Sequence, residues 1–340
     1  MTAQQRRWDE DDVRIRPGRG KSRPRSKERP RHDDAIDGFV VAVDRGRFTC
    51  RVGEPTDVIG GALLFAVKSR ELGRKGVVVG DRVALVGDLS GRTDTLARIV
   101  RVHRRRSVLR RSADDNDAVE RVLVANADQL AVVVAVADPE PRPRLIDRCL
   151  VAAYDAGLDP LLVLTKSDLA DPDPLLTEYG GLDVPHVVTG RAGGALTGTD
   201  LVRDALAGRV TVLVGHSGVG KSTLVNALVP DAARSTGQVN VVTGRGRHTS
   251  TSAVALPLPP RGWVVDTPGV RSFGLAHVDS DRLLAGFAEL AGGTADCPRG
   301  CSHDEPECGL DAWVAEGHAA PARLDSFRRL LRALRGTDEA

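Results

Sequence analysis

Gly215-His216-Ser217-Gly218-Val219-Gly220-Lys221-Ser222 matches G-x-x-x-x-G-K-[ST] at every fixed position. Glycines let such a loop curl so that backbone N–H groups meet phosphate oxygens. The lysine, Lys221, is placed to reach the β- and γ-phosphates, and the Ser222 hydroxyl to coordinate Mg²⁺. The loop and the adjoining Thr223 sit between an apolar run at 210–214 and a helical segment beginning near Lys221. A helix N-terminus adds partial positive charge at the same spot.

Thr165-Lys166-Ser167-Asp168 has the pattern [NT]-K-x-D at the end of another apolar run, 161–164. An ionised carboxylate such as Asp168 accepts hydrogen bonds only, and guanine offers it a ring N–H and an exocyclic amine side by side. Adenine has no such pair. The Lys166 stem can lie over the base. Thr189-Gly190-Arg191, after the next run, is a candidate second base-contacting loop. Asp266-Thr267-Pro268-Gly269 has the pattern D-x-x-G, in which Asp266 would hold Mg²⁺ through water and the Gly269 N–H would sense the γ-phosphate. Between this box and the phosphate loop lies Gly244-Arg245-Gly246-Arg247-His248-Thr249-Ser250-Thr251, long enough for a switch. One of Thr249, Ser250 and Thr251 is expected to complete the Mg²⁺ shell. Hydrolysis needs an oriented water. The residue after D-x-x-G is Val270, which cannot orient one, so His248 is the candidate. Slow intrinsic turnover accelerated by a partner is expected.

A second constellation is Cys297, Cys301, His303 and Cys308, spaced C-x₃-C-x-H-x₄-C. Three thiolates and one imidazole make a closed tetrahedral zinc set, with no open position for water, so its role is structural. The other two cysteines, Cys50 and Cys149, fall in strand and helix patterns and read as small core residues.

The elements that must position these residues follow from the rest of the chain. Its 340 residues are 41% hydrophobic but only 3% aromatic, so the cores rest on Val, Leu, Ala and Ile. Five sparse cysteines do not form a disulfide framework and fit a reducing compartment. There is no apolar signal core at the N-terminus, and no apolar run approaches the ~20 residues a membrane span needs. A cytoplasmic, soluble, monomeric protein without membrane contact is expected.

Residues 1–36 form a basic tail with nine Lys/Arg and one acid between Arg14 and Arg31. Such a segment buries too little surface to offset its ordering entropy, so disorder is expected; a cationic arm also suits RNA phosphates. Residues 37–104 show short alternating stretches at 38–43, 47–52, 76–86 and 95–102, separated by turn residues, which predict a small five-stranded barrel of oligonucleotide-binding (OB) type or a generic SH3-like one. Six arginines between Arg101 and Arg111 read as a basic joint: a surface linker or a polyanion contact. Residues 105–274 alternate strand and helix, with strands at 129–136, 161–164, 186–188, 210–214 and 263–265, which predicts a mostly parallel doubly wound α/β sheet. Residues 275–340 predict a helical zinc-binding domain whose last helix carries Leu324, Phe327, Leu330, Leu331 and Leu334 on one stripe and Arg328, Arg329, Arg332 and Arg335 on a basic face, either solvated or in contact with RNA.

The motif order is unusual: the guanine box precedes the phosphate loop, as if the chain of an ordinary GTPase had been cut at one surface loop and rejoined. With Thr165–Asp168, the phosphate loop through Thr223, Gly246-Arg-His-Thr-Ser-Thr251, Asp266–Gly269 and the Cys/His cluster in this order, residues 37–335 resemble the circularly permuted ribosome small subunit-dependent GTPase A family. The resemblance implies an OB-fold barrel, a P-loop GTPase core and a zinc domain. It implies GTP/GDP, the small ribosomal subunit and its rRNA as partners, late subunit maturation as the process, and hydrolysis stimulated by the subunit. Family members usually space the cluster C-x₄-C-x-H-x₅-C and carry threonine where Ser250 stands; here each outer gap of the cluster is one shorter. Two other classes compete: a zinc/OB nucleic-acid-binding regulator that senses GTP without significant turnover, and a small-molecule P-loop kinase. The guanine box and the lack of an acceptor-binding insertion count against the kinase.

Overall fold

The computed structural model describes residues 32–53, 61–73, 76–92, 95–112, 120–229, 253–267, 273, 275, 278 and 280–335. The basic tail as far as residue 31 lies outside them.

Five strands close a barrel: β1 (Ile36–Asp44), β2 (Arg47–Val52), β3 (Leu63–Lys68), β4 (Arg82–Gly87) and β5 (Ala97–Val102). Their order around it is β1-β2-β3-β5-β4 and back to β1, antiparallel except for β3 beside β5. That is the Greek-key closure of an OB barrel. Val40, Cys50, Leu64, Ala66, Val83, Leu85 and Ile99 fill it, all buried. The sequence stretches missed β3 and ran β4 too early, since 76–81 form turns and a single bridge rather than a strand. Ile36 already pairs with Leu85, so β1 begins one residue before the barrel's expected start at 37.

The register of β1 slips between Val40 and Ala42. A bulge bends a strand and raises its twist. Residues before the bulge close the barrel on β4, and Ala42 beyond it pairs with Val254 of the second sheet. The two sheets are therefore one continuous surface of eleven strands.

A hairpin, β6 (Val108–Ser112) and β7 (Glu120–Ala125), links the halves. The arginine run enters it: Arg110 and Arg111 lie in the paired strand β6, while Arg101, Arg104 and Arg106 are exposed on the joint. Arg105 turns inward: its Nε lies 2.7 Å from Oδ1 of the fully buried Asp81, and its Nη2 donates to Oδ2 at 2.9 Å and to the Gly76 carbonyl at 2.8 Å. Arg106 pairs with Asp128 at 3.1 Å.

The second sheet contains β8 (Gln129–Ala135), β9 (Asp159–Thr165), β10 (His186–Val188), β13 (Val210–Val214), β14 (Val254–Pro257) and β15 (Trp263–Asp266) in the order β10-β9-β8-β13-β15-β14. The first five are parallel, and β14 is antiparallel, paired with β15 on one side and with β1 on the other. Strand β8 is buried along its whole length, which is why it reads as an unbroken apolar run. Helices α1 (Pro143–Ala156) and α2 (Asp173–Gly180) cover one face; α3 (Thr199–Leu206) and α4 (Lys221–Leu228) cover the other. Between β10 and α3 lies a small hairpin of β11 (Gly190–Ala192) and β12 (Ala195–Thr197).

The C-terminal part holds α5 (Ser280–Leu284), a 3₁₀ turn (Ala291–Asp296), α6 (Gly309–Ala315) and α7 (Pro321–Arg335). The stripe on α7 is buried against α1 and α5: Phe287 stacks edge-on to Phe327 at 5.3 Å and tilts onto Tyr154 at 5.7 Å. Burying one such side chain is worth about 1.5–3 kcal/mol. The solvated basic face expected for α7 holds at the exposed Arg332 and is corrected at Arg328 and Arg329, which are drawn inward. Arg328 chelates Asp311 at 2.6–2.8 Å, Arg329 reaches the buried Asp147 at 3.1 Å and lies 4.3 Å over the Tyr179 ring, and Arg332 meets Asp304 at 3.1 Å. These arginines bolt α7 to its neighbours. Among the described residues no helix is long and apolar enough to cross a membrane.

Candidate nucleotide site and metal cluster

The phosphate loop leaves β13 at Gly215 and ends at α4, at the carboxyl edge of the parallel strands, where ligands of such sheets bind. A Cβ on Gly215 would stand 2.5 Å from the Val133 carbonyl, so only glycine lets the loop pass so close to β8. His216 Nδ1 lies 2.9 Å from the Ser217 carbonyl. Ser217, Gly218, Ser222 and Thr223 are exposed at the mouth, and Val219 is buried beneath. The Lys221 ammonium contacts the Asp266 carboxylate directly, so the phosphate-loop lysine and the D-x-x-G aspartate share one point in space. Thr267 Oγ1 donates to the Leu213 carbonyl at 2.8 Å and pins the end of β15 to β13.

The guanine box stands beside this loop. Thr165 Oγ1 donates to the Val219 carbonyl at 2.6 Å. Ser167 N–H donates to the Thr189 carbonyl at 3.2 Å. Asp168 Oδ1 accepts the Arg191 backbone N–H at 2.9 Å, which aims the carboxylate and ties the box to the Thr189-Gly190-Arg191 loop. A cavity of about 250 Å³ opens between them, lined by Thr165, Lys166, Asp168, Leu169, Thr189, Gly190, Arg191, Leu196, Gly220, Thr223 and Leu224. The two sequence motifs thus open onto one hole. Two residues that line it, and one that holds Lys166 beside it, are not marked by any sequence motif. Asp138 accepts the Lys166 ammonium through its carbonyl and holds its carboxylate 3.7 Å away. Leu169, a large apolar side chain left 56% exposed, lines the cavity, as does Leu196. The position of Asp138, just past the end of an apolar strand, was the available signal. His248, Thr249, Ser250, Thr251 and Gly269 lie outside the described residues.

Cys297, Cys301, His303 and Cys308 converge, with their ligand atoms all within 4.8 Å of one another. Cys297 Sγ lies 3.8 Å from Cys308 Sγ and 3.5 Å from His303 Nδ1. Two thiolates ~2.3 Å from a shared tetrahedral ion stand about 3.8 Å apart, and a thiolate and an imidazole nitrogen about 3.5 Å. The donor set and its spacing fit zinc. The Glu305 carboxyl accepts the Ser302 N–H at 2.9–3.0 Å; hydrogen bonding from the Ser302 side chain, and then from this N–H, holds its pKa down at about 2. It also faces Cys301 Sγ at 3.3 Å, closing the shortened loop on itself. Arg328 Nε donates to the His303 carbonyl at 3.0 Å, so α7 grips the cluster directly. Cys50 and Cys149 stand apart in the cores, and burial pushes both thiols up to about 12, which suits inert packing residues.

Residues 102–276, half of the chain, match the model of the family described as RsgA GTPase. A protein of Pseudomonas aeruginosa named small ribosomal subunit biogenesis GTPase RsgA is 42% identical over 224 residues, which span 64% of this chain and 65% of that one. A protein of the same name from Azotobacter vinelandii is 41% identical over 220 residues, 62% of this chain and 63% of that one. The alignments thus span just under two thirds of these relatives' length. Among solved structures, YjeQ from Thermotoga maritima superposes with a TM-score of 0.64 at 29% identity, over 89% of this chain and 99% of that one. YloQ, described as a circularly permuted GTPase, superposes with a TM-score of 0.62 at 19% identity, over 92% and 99%. With the guanine-box strand ahead of the phosphate-loop strand in sequence and their motifs opening onto one cavity in space, the chain belongs to the RsgA GTPase family.

Proposed function

We propose that this chain binds GTP, hydrolyses it to GDP and phosphate, and acts on the small ribosomal subunit during its late maturation. The observation that carries the nucleotide half is the cavity on which Asp168 and the phosphate-loop residue Gly220 both open. Thr165, Lys166, Ser167 and Asp168 take the base. Gly215, His216, Ser217, Gly218, Val219, Gly220, Lys221, Ser222 and Thr223 take the phosphates. Ser222 and Asp266, with one hydroxyl of Thr249, Ser250 or Thr251, hold Mg²⁺; when bound, the ion neutralises charge between the β- and γ-phosphates. Gly269 reads the γ-phosphate, and His248 orients the water. Lys221, which meets Asp266 in the structure, stabilises the charge that develops on the transferred phosphoryl group.

The ribosomal half rests on the names of the relatives and on the barrel. Nucleotide-dependent binding and release, with turnover raised by the subunit, completes the reading. Cys297, Cys301, His303 and Cys308 hold one structural zinc. The chain divides into a basic tail (1–36), a barrel (37–104), a GTPase domain (105–274) and a zinc domain (275–340), and works as a monomer in the cytoplasm on rRNA.

Two measurements test this. Direct titration with Mg²⁺ present should show GTP and GDP bound far more tightly than ATP; equal affinities would remove the reading. Turnover with and without purified small subunits should rise on their addition. A chain that binds GTP but never turns it over would be the nucleic-acid-binding sensor instead.

A further inference from the structure

The hairpin of β11 and β12 stands where an ordinary strand-to-helix connection would need only a few residues. It turns at Gly193 and Gly194, both at positive φ (58° and 84°), the backbone of a two-residue type I′ turn. Its register pairs Arg191 with Leu196. Cross-strand partners project from the same face of a ladder, and both residues line the cavity beside Asp168. The hairpin is anchored there: the Arg191 N–H binds the Asp168 carboxylate, and Leu196 packs against the core that contains Val202 and Leu224. An apolar side chain is thereby fixed in the cavity wall with Leu169 and Leu224, where a planar base would lie against it.

We propose that Leu196 is a positioning residue of the nucleotide site: its side chain packs against the bound purine and slows guanine nucleotide release. The inference rests on the guanine-binding reading of the cavity given above. Contact with Leu196 removes apolar area of the ring from water only while the base is seated, so it adds to the barrier for departure rather than to base choice. Selectivity stays with Asp168, whereas residence time depends on the hairpin.

The test is stopped-flow release of a fluorescent GDP analogue from the full chain, with affinity for GDP, IDP and ADP measured in parallel. Leu196→Ala and Leu196→Gln are expected to release GDP roughly five- to tenfold faster, while the ratio of GDP to ADP affinity stays unchanged. Leu196→Met should restore slow release. Leu201→Ala, at a side chain 62% exposed on α3, should leave release as in the wild type. Thermal melting of each variant keeps a folding defect apart from a site effect; if Leu196→Ala melts early, Leu196→Gln and Leu196→Met decide. Release from both Leu196→Ala and Leu196→Gln within twofold of the wild type overturns the proposal alone. A change in base preference that follows Leu196 also overturns it. A wild-type chain with no preference for guanine overturns it together with the reading of the site.

Discussion

Thr165 and Val219, 54 residues apart in the chain, are joined by a 2.6 Å hydrogen bond from the threonine hydroxyl to the valine carbonyl. Thr165 is buried, so no water can replace the bond. This bond ties Thr165–Asp168 to the loop at 215–222 and fixes the span of the cavity between them.

Thr165→Val keeps the shape but leaves the Val219 carbonyl without this donor. A buried acceptor left unsatisfied costs about 1–3 kcal/mol. Urea denaturation should show that loss, and GDP affinity should fall with it, because the loop and the box are no longer held in register.

Asp168→Asn exchanges an acceptor for an amide that also donates. Two charge-assisted bonds to guanine are lost, and affinity should drop by about 10²–10⁴-fold. Xanthine carries a carbonyl where guanine has its exocyclic amine, so the variant should gain affinity for xanthosine nucleotides. Competition titration with GDP and XDP checks both effects.

His248→Ala should lower subunit-stimulated hydrolysis by about 10²-fold or more if it orients water, with nucleotide affinity unchanged. Phosphate release with and without subunits measures this, and unchanged stimulated turnover would assign the water to another residue.

One zinc per chain is expected by elemental analysis, and Cys308→Ser should abolish it. Because the ligands must be deprotonated, zinc uptake should release protons and weaken as pH falls. Chelation should lower the melting temperature of the C-terminal part, since Arg328 joins the His303 carbonyl to Asp311 and would lose an ordered partner.

Arg105→Ala strands the fully buried Asp81 carboxylate. Breaking a buried pair from one side costs about 3–5 kcal/mol, and since Arg105 is itself 20% exposed the lower end is expected. Asp81 also accepts the Val78 N–H at 2.9 Å, so Asp81→Asn with Arg105 intact should be milder. Denaturant titrations of the two variants give the comparison.

Which features were legible in the sequence follows from the range of the interactions behind them. The Gly215–Ser222 loop, the Thr165–Asp168 box and the Cys/His set stand out in the sequence because each is a run of fixed residue types at short spacing, and the structure brings the members of each together. Strand β8 was legible because burial on both faces leaves no polar residue between Gln129 and Ala135. Charge alone does not report exposure for three of the arginines. Arg105, Arg328 and Arg329 have acidic partners 17 to 182 residues away, and nothing local marks a cation as destined for Asp81, Asp311 or Asp147. The hairpin after β10 was missed because its three-residue strands are too short to show a period, although Gly193-Gly194 was a turn signal. Strand β14 carries only four residues and takes its place from its partners on either side.

Strand β1 is rooted in two structures at once, and this leaves the molecule without slack at its waist. A joint made of loops would let barrel and GTPase swing apart; a shared ladder transmits torque. A body that clamps the barrel therefore also bears on β14 through the Ala42–Val254 pair, and β14 lies beside β15, which ends at Asp266.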